Sequence, residues 1–296
     1  MNDELLFGFH VRSLDELNKV LDAGSNVIEL KPYNLQQSGF PIYEYDGVHF
    51  HINHKNAKII SKLAKKHRAQ VQIHIPYERF ADPREEAGLC QILERHRETI
   101  FERFKLIEKL RFKYGLGQVV TMHPGLFKFQ NSLILFEDEA LEKNQIFFSE
   151  LDQYLRKNCH FKLAVENVTA PKDIYASLGY TTEQLLYLLQ NTSNIGLTID
   201  TGHRNLVSKL SVRDLVGKFD VYNIHLHMNE GKPDPHSFDD DEHRFAGIYN
   251  LPHFHNYARM IKDRRIPVIC EVGTYHKSVS KLKEYREQTM QDILEN

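Results

Sequence analysis

The stretch Ile195-Gly-Leu-Thr-Ile-Asp200-Thr-Gly-His203 joins an apolar, strand-forming run to a carboxylate and an imidazole three residues apart. A strand that is merely buried gains nothing from this ending, because an unpaired charge at its terminus is costly to remove from water. A metal site gains two ligands from the same residues. Similar endings recur along the chain, so this one is interpreted together with the ends of the other predicted strands.

Strand-like runs alternate with longer amphipathic stretches along the whole chain. Strands are predicted at 5–11, 26–31, 70–75, 118–123, 161–167, 195–200, 220–227 and 266–271, and helices at 13–23, 55–67, 84–114, 137–158, 181–192, 204–217 (the weakest pattern), 251–264 and 276–294. Such alternation indicates parallel strands joined by helical crossovers. Eight units predict an α/β fold, a (β/α)8 TIM barrel, whose usual size is about 250 residues. An open doubly wound sheet is the alternative, although no Gly-x-Gly-x-x-Gly motif follows the first strand.

No linker rich in Pro, Gly or Ser divides the sequence, so residues 1–296 are predicted to form one domain. Two connections are long: residues 32–54 after the second strand and residues 228–250 after the seventh. In a barrel both would lie on the catalytic face, where long loops usually shape a binding site.

The composition, with 41% hydrophobic and 26% charged residues, is that of an ordinary globular protein. The net charge of −2 gives no bulk basic surface for nucleic acid. Cys90, Cys159 and Cys270 have no Cys-x-x-Cys spacing and are predicted to be free thiols of a reducing compartment. The sequence has no signal-peptide pattern and no apolar run near the ~20 residues that span a bilayer. We therefore expect a cytoplasmic location and no membrane partner.

Residues suited to acid–base chemistry or metal binding collect where the predicted strands end. On strands three to eight they are His74 with Tyr77, His123-Pro-Gly125, Glu166-Asn167, Asp200 with His203, His225 and His227 with Asn229, and Glu271. The carboxyl ends of barrel strands meet on one face, so these residues would become neighbours. A single histidine at a strand end is commonly structural, but six successive endings of this kind are hard to explain by packing. Imidazole and carboxylate without thiolate suit zinc or manganese.

The loop after strand seven offers a further carboxylate and imidazole on one short turn, Asp241 and His243. A second pair, Asp234 and His236, lies nearby. We favour the first pair because Gly247 follows it and lets the chain turn back into the next helix.

Together these motifs resemble those of the endonuclease IV (AP endonuclease 2) family, within the xylose-isomerase-like TIM barrels. The correspondence runs through His74-x-x-Tyr77, His123-Pro-Gly125, Glu166-Asn167, Asp200-x-x-His203, His227-Met-Asn229-Glu230, Asp241-x-His243 with Gly247, and Glu271. Gly8-Phe-His10-Val11 also resembles the first strand of that family. All nine positions that hold three zinc ions in the family have a counterpart in this sequence.

The resemblance implies up to three Zn²⁺ ions. One would be held by His74, His123 and Glu166, a second by Glu166, Asp200, His227 and Glu271, and a third by His203, Asp241 and His243. Water activated between two ions would attack phosphorus, because a bound Zn²⁺ lowers the pKa of water to about 7. The same resemblance implies catalytic roles for Glu166, Glu271 and His203, and substrate contacts for Tyr77, Asn167, Asn229 and Arg244.

The sequence departs from the nuclease family where that family contacts DNA. Residues 32–54 contain no Lys or Arg and are rich in aromatic residues and histidine. The Gly-rich turn after Glu166-Asn167 is replaced by Val168-Thr-Ala-Pro-Lys-Asp, and Gly202 stands where the nuclease usually has Cys, as in sugar isomerases and epimerases. Basic residues in loops of the expected face are candidates for phosphate contacts or are ordinary solvated charges: Arg79, Arg84, Lys128, Arg204 and Arg244. DNA is thus an implied partner that the charge does not support.

Three hypotheses follow. The first is a zinc-dependent phosphodiester hydrolase. The second is a sugar isomerase or epimerase with a single Mn²⁺ or Mg²⁺, in which Glu166 and Glu271 exchange protons with the substrate. The third is a metal-binding barrel without turnover. The substrate is accordingly a phosphorylated compound or a sugar, and no oligomeric state is predicted.

Overall fold

Eight parallel strands close into a barrel in which strands that are adjacent in sequence are adjacent in space, and the first pairs with the last. The computed structural model describes residues 5–32, 38–45, 49–75, 94–129, 132–133, 136–169, 175–206, 211–226, 254–271, 274 and 277–295. The barrel strands are β1 (Phe7–Val11), β2 (Val27–Leu30), β3 (Gln70–Ile75), β4 (Val119–Met122), β5 (Lys162–Glu166), β6 (Ile195–Asp200), β7 (Val221–Leu226) and β8 (Val268–Cys270). The prediction of a (β/α)8 barrel is confirmed, and the ends of each strand lie within two residues of the predicted bounds. The alternative prediction of an open, doubly wound sheet is wrong.

Helices follow the barrel strands along the chain. Those formed by the described residues are α1 (Leu14–Asp22), α2 (His54–His67), α3 (Glu94–Tyr114), α4 (Glu137–Asn158), α5 (Thr182–Leu189), α6 (Thr201–Leu206), α7 (Val212–Val216), α8 (Phe254–Arg264) and α9 (Val279–Glu295). The prediction of one helix over 204–217 is wrong. Two separate helices, α6 and α7, lie in this region. Helix α6 begins directly after β6, and α7 has its own N-cap, Ser211, whose hydroxyl accepts a hydrogen bond from the amide of Asp214 (3.4 Å).

Two small antiparallel sheets lie outside the barrel and are not predicted by the sequence. In the connection after β2, Tyr43–Tyr45 pairs with Phe50–Ile52, and the ring centroids of Tyr43 and Phe50 are 5.6 Å apart. The second sheet joins Leu126–Phe129 to Ser132–Leu133 and Tyr175–Ser177. Strands of two to four residues are too short to show a periodic pattern. The prediction that residues 32–54 form only a loop is wrong, because Tyr43–Tyr45 and Phe50–Ile52 form a hairpin within them.

Strand alternation decides which side chains enter the barrel, because successive residues of a strand face opposite sides. In β1, His10 faces the interior and contacts Glu29 of β2. Phe7 and Phe9 of the same strand face the opposite side and belong to the apolar core, with ring centroids 5.3 Å apart. The apolar core therefore lies mainly between the barrel and its helices, while polar side chains occupy part of the barrel interior.

The start of β6 is fixed from two sides. A β-carbon at Gly196 would lie 2.6 Å from the carbonyl oxygen of Asp220 and from the ring of Tyr222, so only glycine fits there. From α4, the buried carboxylate of Asp152 accepts hydrogen bonds from the backbone amides of Ser193 (3.1 Å) and Asn194 (2.6 Å). Burial opposes ionisation of Asp152, but these amides together with the side chains of Arg156 and Asn194 outweigh it and lower the pKa of its carboxyl group.

None of the helices within the described ranges is long and apolar enough to span a membrane. Cys159 and Cys270 are free thiols, in agreement with the prediction, and Cys90 lies outside the described residues. The cytoplasmic location and the single domain over residues 1–296 stay predictions.

The contacts of Asp152 generate a prediction about stability. Asp152→Asn should lower the free energy of unfolding at pH 7 by about 1–3 kcal/mol, because the two amides lose a charged acceptor. Since the folded-state pKa is lowered, this stabilisation is complete above the unfolded-state value of about 3.9 and is lost as pH falls through the folded-state value. Urea unfolding curves of the two proteins should therefore differ at pH 7 and converge in acid.

A suitable control for this comparison is Glu142→Gln, which alters an exposed carboxylate of the same helix. It should change the free energy of unfolding by no more than about 0.5 kcal/mol. Equal stability of Asp152→Asn and the wild type at pH 7 would contradict the assignment.

Candidate metal centre

The carboxyl-terminal ends of β3 to β8 bring together those predicted site residues that the structure describes. The structure describes seven of these residues: His74, His123, Glu166, Asn167, Asp200, His203 and Glu271. All are buried except His123, whose side chain is 13% exposed. The other predicted residues lie outside the described ranges: Tyr77, His227, Asn229, Asp241, His243 and Arg244, together with the alternative pair Asp234 and His236. Their roles stay predictions.

Glu166, at the end of β5, presents its two carboxylate oxygens to different histidines. Oε2 lies 2.8 Å from Nε2 of His74 and 3.2 Å from Nε2 of His123. Oε1 lies 3.2 Å from Nδ1 of His225 and 3.7 Å from Nδ1 of His203. A carboxylate placed between two sets of ligands in this way is suited to bridging two metal ions.

Asp200 and His203 have a structural role beside their place in the cluster. Because β6 ends at Asp200 and α6 begins at the next residue, Asp200 is the N-cap of the helix, and its Oδ1 accepts a hydrogen bond from the amide of His203 (2.7 Å). The side chain of Asn167 forms two hydrogen bonds with the main chain of Asp200 (2.8 and 2.9 Å), and Nδ1 of His203 lies 2.9 Å from the carbonyl oxygen of Asn167. These bonds fix the orientation of the carboxylate and of the imidazole ring.

The cluster contains three further residues outside the ligand set that the resemblance implies, His10, Glu29 and His225, of which the strand-end pattern names only His225 as a candidate. Nδ1 of His225 lies 3.0 Å from Oε1 of Glu271, and Nε2 of the same ring lies 3.0 Å from Oε2 of Glu29. Nε2 of His10 contacts Glu29 and lies 2.6 Å from Oε1 of Glu271. The cluster therefore reaches deeper into the barrel than the strand ends.

Sequence signals for two of these residues were present. Glu29 is the one charged residue in the otherwise apolar strand Val27–Leu30. His225 precedes His227 by two residues, so both positions share one face of the strand that the sequence predicts over 220–227. The resemblance selected His227 alone, whereas the structure shows that His225 faces the barrel interior.

Electrostatic coupling assigns different charges to the two deepest histidines. Burial alone would lower the pKa of His225, but the carboxylates of Glu29, Glu166 and Glu271 together raise it well above its ordinary value. For His10 burial is the dominant effect and lowers the pKa to about 3, so this ring is neutral. Burial disfavours the charged form of Glu29, Glu166 and Glu271, yet the surrounding histidines, joined by Lys31 at Glu271, lower all three pKa values and keep the groups ionised.

The residues present fit a divalent metal ion. Three groups have potential ligand atoms within 4.8 Å of one another: His74, Glu166, His225 and Glu271; Glu166, Asp200 and His203; and His10, Glu29, His225 and Glu271. Imidazole nitrogens and carboxylate oxygens are ligands of zinc and manganese. Among the described residues of the cluster, Lys31 and protonated His225 are outnumbered by the four carboxylates, so added positive charge would be favourable.

A closed eight-stranded barrel with a buried imidazole–carboxylate cluster at the strand ends defines a TIM barrel suited to metal-dependent chemistry. The chain belongs to the xylose isomerase-like TIM barrel family, whose sequence profile matches residues 17–293. No curated protein sequence matches the chain.

Among solved structures, the chain is similar to a D-psicose 3-epimerase, with a TM-score of 0.64, 11% identity and coverage of 98% of this chain and 97% of the other. It is also similar to 3-keto-D-glucoside 4-epimerase from E. coli, with a TM-score of 0.64, 10% identity and coverage of 97% and 100%. An AP endonuclease of family 2 from Brucella melitensis has a TM-score of 0.61, 15% identity and coverage of 96% and 99%. At these identities the likeness concerns the fold.

The position of Glu166 generates a prediction about metal binding. Glu166→Gln should weaken binding at both sides of the cluster by more than about tenfold, because each carboxylate oxygen faces a different set of histidines. His123→Gln should weaken binding at one side only. Equilibrium dialysis against Zn²⁺ or Mn²⁺, followed by elemental analysis, measures both effects.

His160→Gln provides the matched control for these variants. The His160 side chain is 78% exposed and pairs with Glu108, so its replacement should leave metal binding unchanged. Unaltered stoichiometry and affinity in folded Glu166→Gln would show that Glu166 is not a ligand.

Proposed function

We propose that this protein is a zinc-dependent hydrolase of phosphate esters, with an arrangement of ligands resembling that of endonuclease IV. The placement of Glu166, with one carboxylate oxygen towards His74 and His123 and the other towards His225 and His203, carries the proposal. A carboxylate of this kind is suited to a site in which two ions act on one phosphate, whereas a site with one ion leaves its second oxygen without a ligand role.

The described residues supply orientation and charge for this chemistry. Divalent zinc would supply a Lewis acid and a water of lowered pKa. Glu166 and Glu271, both ionised, hold the negative charge that retains the ions, and His203 is kept in one orientation by the carbonyl oxygen of Asn167. Burial of these groups strengthens their electrostatic interactions with an anionic substrate and its ions.

The substrate we propose is a phosphorylated molecule smaller than a DNA duplex. The net charge of −2 gives no bulk basic surface, and residues 32–54 contain no Lys or Arg. Part of this connection is the hairpin Tyr43–Tyr45 with Phe50–Ile52, which contributes aromatic and histidine side chains instead of cations. Arg244, Tyr77 and Asn229 remain candidates for substrate contacts on the basis of the resemblance.

Hydrolysis of model substrates tests the proposal. Zinc-loaded protein should hydrolyse a chromogenic phosphate ester such as bis(4-nitrophenyl) phosphate, and Glu166→Gln should lower kcat/KM by about 100-fold or more. His203→Ala should also impair turnover strongly, while the exposed-surface variant His160→Gln should retain full activity. Fully loaded protein that cleaves neither phosphate monoesters and diesters nor abasic duplex DNA would rule out the hydrolase.

A sugar isomerase or epimerase is the second candidate, and the relation of Glu166 to Glu271 favours it. Both carboxylates approach the same atom, Nδ1 of His225, at 3.2 and 3.0 Å, so they lie next to one another. One carboxylate could remove a proton from a carbon next to a carbonyl group, and the other, protonated, could return a proton to the substrate. The similarity to a D-psicose 3-epimerase is consistent with this chemistry.

Metal content and isotope exchange separate the two candidates. The epimerase requires one Mn²⁺ or Mg²⁺ per chain and should incorporate deuterium from D₂O into a ketose at the carbon that changes configuration. Glu271→Gln should abolish this exchange, whereas His203→Ala should reduce it much less than it reduces phosphate hydrolysis. More than one zinc per chain without deuterium incorporation would exclude the epimerase.

A further inference from the structure

We propose that Glu29 is a positioning residue for the metal centre, which fixes His225 as a ligand through a carboxylate–imidazole–metal relay built inside the barrel. The inference deepens the proposed function and rests on its metal site. It concerns a level of the barrel that lies below the predicted ligands, since Glu29 comes from the middle of β2 and pairs in register with Gln72 of β3.

His225 connects two levels of the interior through its two ring nitrogens. Nδ1 lies near the carboxylates of two candidate metal ligands, 3.2 Å from Oε1 of Glu166 and 3.0 Å from Oε1 of Glu271. Nε2 makes a charge contact with Oε2 of Glu29, at 3.0 Å. An imidazole that binds an ion through one nitrogen carries its proton on the other, and a carboxylate accepting from that N–H fixes the tautomer and raises the basicity of the ligand.

Glu29 is itself held in place by residues of other strands. Its Oε1 accepts a hydrogen bond from the hydroxyl of Thr121 (3.0 Å) on β4. Thr121 in turn lies 3.1 Å from the hydroxyl of Thr198 on β6 and accepts a hydrogen bond from the side-chain amide of Asn223 (3.3 Å) on β7. All four side chains are buried, so the carboxylate can neither turn to water nor move away from His225 without breaking these contacts.

His10 links the same carboxylate to a second predicted ligand. Nε2 of this ring contacts Glu29 and lies 2.6 Å from Oε1 of Glu271, so the ring stands between the two carboxylates. A change at Glu29 would therefore be transmitted to the metal by two routes, through His225 and through His10 with Glu271. This arrangement explains why a carboxylate is placed in an otherwise apolar strand.

The alternative is that Glu29 binds an ion directly, together with His10, His225 and Glu271, whose potential ligand atoms lie within 4.8 Å of one another. The direct contacts favour the positioning role. One oxygen of Glu29 is engaged by the Thr121 hydroxyl, and the other already lies at hydrogen-bonding distance from both imidazoles. The two roles differ in the number of ions bound, which makes them separable by measurement.

Glu29→Gln tests the proposal, because the variant keeps the size of the side chain and removes its charge. We expect it to bind the same number of Zn²⁺ ions per chain as the wild type, with affinity for the ion at His225 lowered about 10–100-fold. Titration with Co²⁺ should show an altered visible spectrum at full occupancy, since the orientation of a ligand changes. Isothermal titration with Zn²⁺ and elemental analysis give the affinity and the stoichiometry.

Two more variants make the comparison specific. Gln72→Met replaces a buried polar side chain at the paired position on β3, and it should leave the affinity within about twofold of the wild type. Thr121→Val removes the hydroxyl that holds Glu29 and should weaken binding to a smaller extent, about threefold. It also provides the test if Glu29→Gln does not fold.

The possible outcomes separate the positioning role of Glu29 from direct metal ligation and from a failure of the proposed function. Wild-type affinity and spectrum in folded Glu29→Gln, or in folded Thr121→Val if the first variant is unfolded, would overturn the positioning role. Loss of one ion per chain in Glu29→Gln would overturn it in favour of direct ligation. Wild-type protein that binds no divalent ion would contradict the proposed function itself, and that failure is recognised before any variant is compared.

Discussion

The enclosure of four carboxylates at one end of the barrel is the constraint on which the rest of the site depends. Glu29, Glu166, Asp200 and Glu271 are at most 4% exposed, so water cannot compensate their charges. Buried charges of one sign must protonate or acquire partners, because their desolvation is costly. The histidines and Lys31 supply partners within the described residues, and a bound divalent ion would supply the remaining positive charge. The polar cluster, the metal preference and the rigidity of the site therefore have one common cause.

The same constraint separates the parts of the fold that give stability from those that give function. On β1, Phe7 and Phe9 pack into the apolar core while His10 faces the carboxylates, and on β7 Ile224 and Leu226 alternate with Asn223 and His225 in the same way. A polar barrel interior contributes little hydrophobic stabilisation, so the layer between barrel and helices must provide most of it. Within this layer, polar contacts anchor the strands. Asp152, for example, holds the start of β6 and so helps to set the position of Asp200 at the end of that strand.

The sequence was sufficient for the parts of the structure that rest on local periodicity. Apolar strand runs and amphipathic helices predict the eight-stranded barrel, and residues such as Glu166, Asp200 and Glu271 were found because they follow those runs. Glu29 was missed because its importance depends on register, which places it opposite Gln72 and beneath His225. The hairpin Tyr43–Tyr45 with Phe50–Ile52 was missed because its strands are too short to be periodic. Long-range pairing is what single-sequence patterns do not contain.

Asp200 shows how one residue can serve the fold and the site without the two roles being alternatives. Its Oδ1 caps α6 by accepting from the amide of His203, so a carboxylate at this position has a structural explanation. The cap, however, also sets the spacing between carboxylate and imidazole, and Asn167 holds both from the preceding strand end. A ring held through Nδ1 would bind an ion through Nε2, so the hydrogen bonds that stabilise the helix start also define which nitrogen is directed to a metal. A cap requires no imidazole, since only the backbone amide of residue 203 takes part, and therefore the histidine of the Asp-x-x-His motif, more than its aspartate, is the residue that points to metal-dependent function.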